Sequence, residues 1–516
     1  MALAKSLSIS LFGLQGRLIE VEADISSNLP GFVLVGLPDA SLQEASARVR
    51  AACVNTGLPW PARKITVNLS PASVPKAGSG FDLSIAASIM AANGLFSQDA
   101  LAGTVLLGEL TLDGAVRGIR GVLPSIQAAK KLGVAKFIVP RANLPEAKLV
   151  EGVEVIGISD LAEFAGLFGV SSELKVPSPP VETPQLVADP TAEFEQKDIL
   201  DVLGQESAVY ALAVAAVGGH HTLLVGPPGS GKTMLAERLP GLLPELDVES
   251  ALELAAVNSL LSSNSEFDRK VPFVAPHHGV SATALVGGGS SVPRPGLISQ
   301  AHGGVLFLDE APEFAPASLE ALREPLESGQ ISVSRASGTA SFPARFQLLL
   351  AANPCPCGNR GTRGKDCSCT VQQRNRYASR LSGPLLDRFD IRLRVHQATK
   401  TAKAASAKDS DRLSSSEWRG RILEARVRTH DRLASSPWRL NSEVSGAYLR
   451  RLNRENPSAV RVLDAALAKG TLSMRGYDRC LRVAWSIADL EGLERLSASV
   501  VGQALFLRGL EGWAGE

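Results

Sequence analysis

The sequence lacks several features that would have indicated its class at once. It has no uninterrupted apolar stretch of about 18 residues, which argues against a membrane-spanning helix. Its 53 lysines and arginines balance 52 aspartates and glutamates, so net charge says nothing about a polyanionic partner. Six cysteines are too few for a secreted disulfide scaffold. Lys5, near the N-terminus, is followed by alternating apolar residues, a pattern that is a poor signal peptide. We therefore expect a cytoplasmic protein without a membrane partner.

What is present divides the chain into four parts, one of them a linker. Residues 1–169 alternate β-branched runs with Ala-rich helical runs, which is typical of a compact α/β domain. Residues 170–197 are Pro-rich and are interpreted as a semi-rigid linker. A second α/β pattern over 198–413 predicts a doubly wound parallel sheet. Residues 414–516 are predicted to be helical.

A glycine-rich loop stands between the apolar run at 222–225 and a helix predicted from Lys232. Such loops cradle a triphosphate with inward-pointing backbone N–H groups, so ATP is the expected ligand. The lysine is predicted to contact the β and γ phosphates and the threonine to bind Mg²⁺. A chance turn is disfavoured because the loop has both the strand and the helix that this chemistry needs. The loop residues are Gly226, Pro227, Pro228, Gly229, Ser230, Gly231, Lys232 and Thr233.

Two acidic residues follow another apolar run, at 305–308. Asp309 and Glu310 therefore emerge at the end of a predicted buried strand. There Asp309 is expected to hold Mg²⁺ and Glu310 to polarise the attacking water. Asn353 ends the next apolar strand and is a candidate for orienting that water or contacting the γ-phosphate. Each would be an ordinary surface or turn residue by itself, but the glycine-rich loop upstream favours the catalytic interpretation.

Two arginines are candidates for neutralising charge on the transferred phosphate. Arg388 could act on the nucleotide of a neighbouring subunit. Because it lies between Asp387 and Asp390, it could instead belong to a surface ion cluster. Arg475 opens a predicted helix in the helical part of the chain. It could reach the nucleotide from a lid or be solvated. Local sequence leaves these alternatives open.

Four of the six cysteines form two C-x-C pairs, at Cys355, Cys357, Cys367 and Cys369. Four soft thiolates suit tetrahedral Zn²⁺, although the spacing differs from the usual C-x₂-C knuckle. A redox pair and unrelated loop thiols are the alternatives. A reducing cytosol favours zinc over both.

The segment around these cysteines, 355–396, is basic, with nine arginines or lysines against three aspartates. Tyr377 lies among them and is a candidate for stacking on a base. Contacts of this kind would be made to DNA phosphates and would be salt-dependent and largely independent of base sequence. The alternative is a basic surface that pairs with an acidic face of a neighbouring subunit.

Together these motifs resemble those of AAA+ ATPases. Additional stretches narrow the resemblance to the magnesium-chelatase-like branch, and specifically to the ComM/YifB family of competence-associated proteins. The resemblance covers nearly the whole chain. The stretches that carry it are 201–205, 275–278, 285–289, 293–296 and 323–327.

The resemblance implies a ring-forming, hexameric motor with ATP between its subunits. It also implies a DNA helicase activity that drives branch migration during recombination of incoming DNA. In family terms Asn353 matches sensor 1, Arg388 the arginine finger and Arg475 sensor 2. Arg335 and Arg345 fall in the family's extra loop elements and are candidate phosphate contacts in a central pore.

Residues 75–83 of the first domain resemble the Lon-protease fold. The proteolytic enzymes need a serine nucleophile and a lysine that takes its proton. Those positions fall on Gly80 and Leu123, with Ser79 one place away, so we expect a non-proteolytic domain that binds DNA or partners or stabilises the ring. Two other functions stay open: a magnesium-chelatase-type motor subunit for metal insertion, and an ATP-dependent protease, which Gly80 and Leu123 disfavour.

Overall fold

The computed structural model describes residues 2–37, 39–74, 76, 78–171, 197–263, 267–289, 292–335, 338–361, 366–454 and 456–509. The Pro-rich linker predicted at 170–197 lies outside the described residues except at its two ends. In the described ranges, no helix combines the length and the apolar character needed to cross a lipid bilayer.

The N-terminal region is built on a seven-stranded mixed sheet of order β3-β4-β2-β1-β5-β8-β9. Strands β1 and β2 form a long antiparallel hairpin, whereas β5, β8 and β9 continue in parallel from β1. The strands of this region are β1 (Ala2–Phe12), β2 (Gln15–Ser26), β3 (Gly31–Val35), β4 (Lys64–Ser70), β5 (Thr104–Leu106), β6 (Glu109–Leu110), β7 (Val116–Arg117), β8 (Lys136–Pro140) and β9 (Glu154–Ile158). The helices are α1 (Ala40–Gln43), α2 (Ala45–Asn55), α3 (Asp82–Ala92), α4 (Val122–Lys131), α5 (Leu144–Ala147) and α6 (Leu161–Gly166).

Helix α3 is buried at every residue because it packs against β1 and β2 and is covered by α2. Polar side chains on β1 that face this core are paired with main-chain carbonyls. Ser6 donates to Ser84 O at 2.8 Å, and Ser8 donates to Leu106 O at 3.1 Å. The buried serines therefore cost little, since each hydroxyl keeps a hydrogen bond.

The central region contains a five-stranded parallel sheet of order β11-β14-β17-β10-β18. Two short hairpins, β12–β13 and β15–β16, lie outside it. The strands are β10 (Thr222–Val225), β11 (Phe273–Val274), β12 (Gly287–Gly288), β13 (Arg294–Pro295), β14 (Val305–Leu308), β15 (Gln330–Arg335), β16 (Gly338–Pro343), β17 (Gln347–Ala352) and β18 (Ile391–Arg394). The helices are α7 (Glu206–Gly218), α8 (Lys232–Leu242), α9 (Val248–Ser259), α10 (Ala282–Val286), α11 (Leu297–Gln300), α12 (Pro316–Glu320), α13 (Arg323–Ser328), α14 (Val371–Ala378), α15 (Gly383–Leu386) and α16 (Lys400–Lys408).

The sheet is buried on both faces, as expected for parallel strands whose sequence is a continuous apolar run. Successive residues point to opposite faces. Leu224 and Phe307 enter a core shared with α7, α8 and the C-terminal helices. Leu223 and Leu306 enter a second core closed by the hairpin β15–β16.

The C-terminal region is helical, as predicted. Its helices are α17 (Ser415–Leu433), α18 (Gly446–Leu452), α19 (Pro457–Ala468), α20 (Met474–Glu491) and α21 (Ala498–Arg508). Helices α17 and α20 pack on α7, and α21 packs on β18. A buried polar chain crosses this junction: His220 Nδ1 lies 2.8 Å from Asp390 Oδ2, and His220 Nε2 lies 2.7 Å from Ser486 Oγ.

The N-terminal region also packs directly on the central region. Leu123 and Ile126 of α4 share an apolar cluster with Ala255 and Ala256 of α9. The Gly121 N–H donates to Ser259 O at 2.7 Å, which adds a main-chain hydrogen bond to this joint.

Candidate nucleotide site

A cavity of about 300 Å³ lies at the carboxyl edge of the parallel sheet. It is lined by residues 228–234 of the glycine-rich loop and by Asp309, Glu310 and Asn353 at the tips of β14 and β17. Adjacent parallel strands end at the same edge of a sheet, which brings together side chains that are far apart in sequence. The structure therefore places the candidate phosphate-binding and carboxylate residues around one space. Gly226 and Pro227 do not line the cavity, but their main-chain carbonyls accept hydrogen bonds from Lys232.

Lys232 is the first residue of α8 and lies at the floor of the cavity. Gly231 precedes it with a φ of 88°, a conformation that glycine adopts without strain. The Lys232 ammonium donates to Gly226 O at 2.7 Å, Pro227 O at 3.1 Å and Asn353 Oδ1 at 3.1 Å. Burial lowers the pKa of Lys232, while the charges of Asp309 and Glu310 oppose that shift. A cation and a helix N-terminus thus face the same space, an arrangement that attracts an anion.

Hard oxygen donors converge beside this cation. Thr233 donates its hydroxyl proton to Asp309 Oδ2 at 2.6 Å. Glu310 has a φ of 49°, unusual for a residue with a side chain, and its N–H donates to Asp309 Oδ1 at 2.8 Å. Strained backbone of this kind is retained where the surrounding structure holds it, often at functional sites. The turn leaves the Glu310 side chain exposed on the cavity lining.

Two glutamines support the glycine-rich loop from outside the cavity. Gln205 Nε2 donates to Ser230 O at 2.6 Å, and Gln397 Nε2 donates to Pro228 O at 3.0 Å. Gln205 stands in a stretch that carries the family resemblance, although no contact was predicted for it. Nothing in the sequence pattern indicated Gln397, because it follows β18 and meets the loop only in the folded chain.

Arg388 and Arg475 lie together and away from the cavity of their own chain. The Arg388 guanidinium pairs with Glu327, and Arg475 Nη1 lies 3.2 Å from Asp387 Oδ2. Burial and the positive charges of neighbouring arginines, Arg323 first among them, lower the pKa of Arg388. Within one chain, the structure does not bring either arginine to the phosphate-binding loop.

The prediction that Tyr377 stacks on a base is wrong, because only 5% of this residue is exposed. Its hydroxyl instead accepts a hydrogen bond from the backbone N–H of Asn353. Burial raises its pKa. The basic character of the flanking sequence hid a core residue, since Tyr377 lies on the inner side of α14.

The two candidate pore arginines make contacts within the chain. Arg335 at the end of β15 is exposed and donates to Gly289 O at 2.9 Å. Arg345 Nη2 lies 2.8 Å from Glu253 Oε2 on α9. Of the two, Arg345 already has a carboxylate partner.

The four cysteines at 355, 357, 367 and 369 converge in one cluster, hereafter the cysteine knuckle. Their sulfur atoms all lie within 4.8 Å of one another. The Sγ atoms of Cys355, Cys357 and Cys367 are 3.4–3.7 Å apart. The Cys357 N–H donates to Cys369 Sγ at 3.4 Å. This arrangement offers four sulfur ligands to a single metal ion.

The Lon-like stretch shows no assembled nucleophile among its described residues. Gly80 has no side chain, and Leu123 is fully buried in an apolar cluster. Ser79 donates to Glu109, and the Lys76 ammonium donates to Pro71 O at 2.5 Å. These contacts leave neither the serine nor the lysine directed at the other.

The strand order of the parallel sheet, the glycine-rich loop after β10 and the acidic pair at the tip of β14, two strands away, define an AAA+ ATPase of the magnesium-chelatase type. Models of magnesium chelatase subunit ChlI match three parts of the chain. The model of magnesium chelatase, subunit ChlI, matches residues 198–403, and the model of subunit ChlI of Mg-chelatase matches residues 21–143. The model of the C-terminal part of magnesium chelatase subunit ChlI matches residues 412–508.

Full-length relatives place the chain within this class. It is 48% identical to an uncharacterized protein of Mycobacterium tuberculosis, over 98% of this chain and 99% of the relative. It is 40% identical to the YifB protein of Escherichia coli, over 98% of each. It is also 40% identical to competence protein ComM of Haemophilus influenzae, over 99% of this chain and 98% of the relative. The chain belongs to the ComM/YifB family of magnesium-chelatase-like AAA+ proteins.

A more distant similarity concerns part of the chain. Lon protease 2 of Bacillus subtilis is 29% identical over 159 residues, 29% of each chain. The likeness supports the Lon-like interpretation of part of this chain.

Proposed function

We propose that this protein is a hexameric, ATP-driven ring motor that acts on DNA and promotes branch migration during homologous recombination of incoming DNA. The observation that carries the motor proposal is the separation of two groups of side chains. The phosphate-binding lysine and the two carboxylates share one cavity, whereas Arg388 and Arg475 lie together elsewhere. A second copy of the chain that brought its arginines to this cavity would complete the site.

ATP and Mg²⁺ fit the donors of the cavity. The loop N–H groups and Lys232 would hold the β and γ phosphates. Thr233 and Asp309 offer adjacent hard oxygens, the ligands that Mg²⁺ prefers. Bound Mg²⁺ would neutralise charge that develops on the phosphate oxygens. Glu310 would take the proton of the attacking water, and Asn353 would orient that water.

Arg388 would act in trans as the arginine finger, an effect worth roughly 10³–10⁵ in rate in related systems. In the single chain its charge is neutralised by Glu327, and Arg475 is neutralised by Asp387. Both acidic partners are substantially exposed, so a triphosphate on an adjoining subunit could displace them. On this proposal Arg475 also acts on the nucleotide of the neighbouring subunit. It does not reach the nucleotide of its own chain from a lid.

The DNA part of the proposal has separate support. The relative named competence protein is similar over nearly its whole length. Exposed basic side chains for phosphate contacts include Arg376 on α14 and Arg335 on the hairpin β15–β16. Contacts of this type bind any base sequence, which suits a motor that moves along DNA.

We also assign Zn²⁺ to the cysteine knuckle. Tetrahedral Zn–S bonds of about 2.3 Å place the four sulfur atoms about 3.8 Å apart. The Sγ separations of 3.4–3.7 Å between Cys355, Cys357 and Cys367 are close to that value. A disulfide requires an S–S distance of about 2.0 Å, which the cluster does not approach.

The direct test measures ATP hydrolysis and strand exchange on a labelled four-way DNA junction. The wild-type chain should hydrolyse ATP faster with the junction than without it, and should move the junction only when ATP is present. Lys232→Ala should lose both activities, whereas Lys270→Ala, at a side chain that is 89% exposed, should keep them. Particle mass measured with and without ATP should show a hexamer. If DNA does not change the rate of ATP hydrolysis and the junction does not move, the proposal that the protein acts on DNA is wrong. The assignment of ATPase activity would still stand.

The models that match also favour a second candidate, a motor subunit for metal insertion. The magnesium-chelatase 38 kDa subunit of Rhodobacter capsulatus is 26% identical over 56% of this chain. That activity would require partner subunits and a porphyrin. ATP turnover that responds to porphyrin-binding partners and not to DNA would favour it.

A further inference from the structure

The cysteine knuckle is continuous with the nucleotide site along the chain. Its first thiol, Cys355, comes two residues after Asn353 and is fully buried. Its last, Cys369, directly precedes Thr370, which begins α14 with a reciprocal capping box to Gln373. The knuckle therefore joins the end of β17 to the start of α14.

The knuckle also touches the phosphate-binding loop directly. Gly358 lies in its first turn, which is closed by a hydrogen bond from Gly358 N–H to Cys355 O at 2.9 Å. A methyl group on Gly358 would lie 2.5 Å from Cδ of Pro228, closer than any real contact. Gly358 also has a φ of 76°, which disfavours any residue with a side chain. Since Pro228 lines the cavity, this close approach links the knuckle to the nucleotide site.

A second connection runs through Asn353. Its side-chain oxygen accepts from the Lys232 ammonium at 3.1 Å. Its backbone N–H donates to the hydroxyl of Tyr377, which is buried on α14. Asn353 is thus held from the β17 side by the chain and from the α14 side by Tyr377. The knuckle is the segment that connects those two sides.

We propose that a Zn²⁺ ion in the cysteine knuckle is a structural component of the nucleotide site, and that it holds Asn353 and Pro228 in position for ATP. The proposal rests on the assignments of ATP to the cavity and zinc to the thiolates made above. Four metal–thiolate bonds would hold the two C-x-C pairs together. The free energy of metal binding would offset the conformational entropy that this segment loses when it is ordered. Loss of the metal removes that closure without altering any residue that lines the cavity. Nucleotide affinity and turnover then fall together.

The test uses the full-length chain with two independent readouts, zinc content by mass spectrometry and affinity for a fluorescent ATP analogue. The wild-type chain should carry one zinc per chain. Cys367→Ser with Cys369→Ser should lose zinc and bind the analogue at least about tenfold more weakly, which corresponds to about 1.4 kcal/mol of binding free energy. Ser368→Ala, between the same two cysteines and exposed, should change neither.

Two further variants separate the link from the metal. Gly358→Ala should keep zinc and weaken the analogue, because its methyl group would press on Pro228. Lys232→Ala should keep zinc and lose the analogue. If the double cysteine variant does not fold, wild-type protein stripped of zinc and reloaded gives the same comparison. Zinc-free protein with full affinity would overturn the proposal while leaving the ATPase proposal intact. A wild-type chain that binds no zinc after loading would also overturn it.

Discussion

Arg479 on α20 donates a hydrogen bond to the main-chain carbonyl of Arg388, at 3.0 Å. Its guanidinium also pairs with the buried carboxylate of Asp390, at 2.5 Å. Burial opposes ionisation of Asp390, but His220 and Arg479 together lower its pKa. A charged residue of the helical region thus holds the short segment that presents the candidate arginine finger.

Replacement of Arg479 should therefore impair turnover more than nucleotide binding. Arg479→Leu is expected to lower the rate of ATP hydrolysis at least about tenfold, because Arg388 would lose its fixed orientation. The affinity of one chain for ATP should stay unchanged. Arg479→Lys should restore part of the rate, since one donor and the charge remain. Rate and affinity are measured side by side, with the exposed Arg461→Ala as control. Equal loss of affinity and rate would indicate a general defect of folding.

Arg388 itself should act across the subunit interface. Arg388→Ala alone should be nearly inactive as an ATPase. The Lys232→Ala variant cannot bind ATP in its own site, but its Arg388 is intact. A mixture of the two variants should therefore recover ATPase activity. Each mixed ring then contains interfaces with one working cavity and one working arginine. The ATPase rate is measured over a series of mixing ratios. A rate that stays at the level of the separate variants at every ratio contradicts action in trans.

Glu310 should separate ATP binding from hydrolysis. Glu310→Gln keeps the shape of the side chain and removes the base, so the variant should bind ATP and hydrolyse it about 10²–10⁴ times more slowly. The trapped ATP state should also favour rings, which light scattering can measure. Glu313→Gln is a matched control three residues along, at a side chain outside the cavity. Normal turnover by Glu310→Gln would show that the assignment is wrong.

The link between Glu253 of α9 and the segments that precede β14 and β17 should weaken in acid. The hydrogen bond from buried His302, with a second from Arg345, lowers the pKa of Glu253 to about 2 from the ordinary value of 4.5. Because the folded pKa lies below the unfolded one, the stabilisation is complete above pH 4.5 and is lost as the pH falls towards 2. Glu253→Gln should lower the free energy of unfolding at pH 7 and flatten its acid dependence.

Urea unfolding of wild type and Glu253→Gln at pH 7 and pH 3 tests this expectation. Glu249→Gln, on the same helix and exposed, serves as control. If the free energies of unfolding of wild type and Glu253→Gln differ by the same amount at pH 7 and pH 3, Glu253 contributes through packing and not through its charge.

Local sequence pattern sufficed for the parts of the site that are local in the chain. The glycine-rich loop and Asp309 could be predicted because a buried strand and a polar turn are adjacent in sequence. The fold class followed from the same alternation and is confirmed by the sheet and the helical C-terminal region. The cysteine spacing indicated a cluster, which the structure forms.

Contacts between distant segments could not be predicted in the same way. The position of Arg388 beside Glu327 depends on how α13 and α15 pack. The support that Gln397 gives to Pro228 depends on the order of β18 and β10 in the sheet. Tyr377 was misjudged because an arginine-rich helix has an inner face that composition does not reveal. Such contacts need tertiary structure, since periodicity specifies a face of a helix but not what covers it.

The joint between the N-terminal and central regions has a consequence for how the chain can be cut. Gly121 bonds to Ser259, and Asn143 Nδ2 donates to Ser263 O at 3.0 Å, beside the apolar contact of α4 with α9. These contacts do not depend on the covalent connection between residues 171 and 197. A protease site engineered into that connection should yield two fragments that still migrate as one particle in native buffer. They would separate only in denaturant, as the halves of a split protein do.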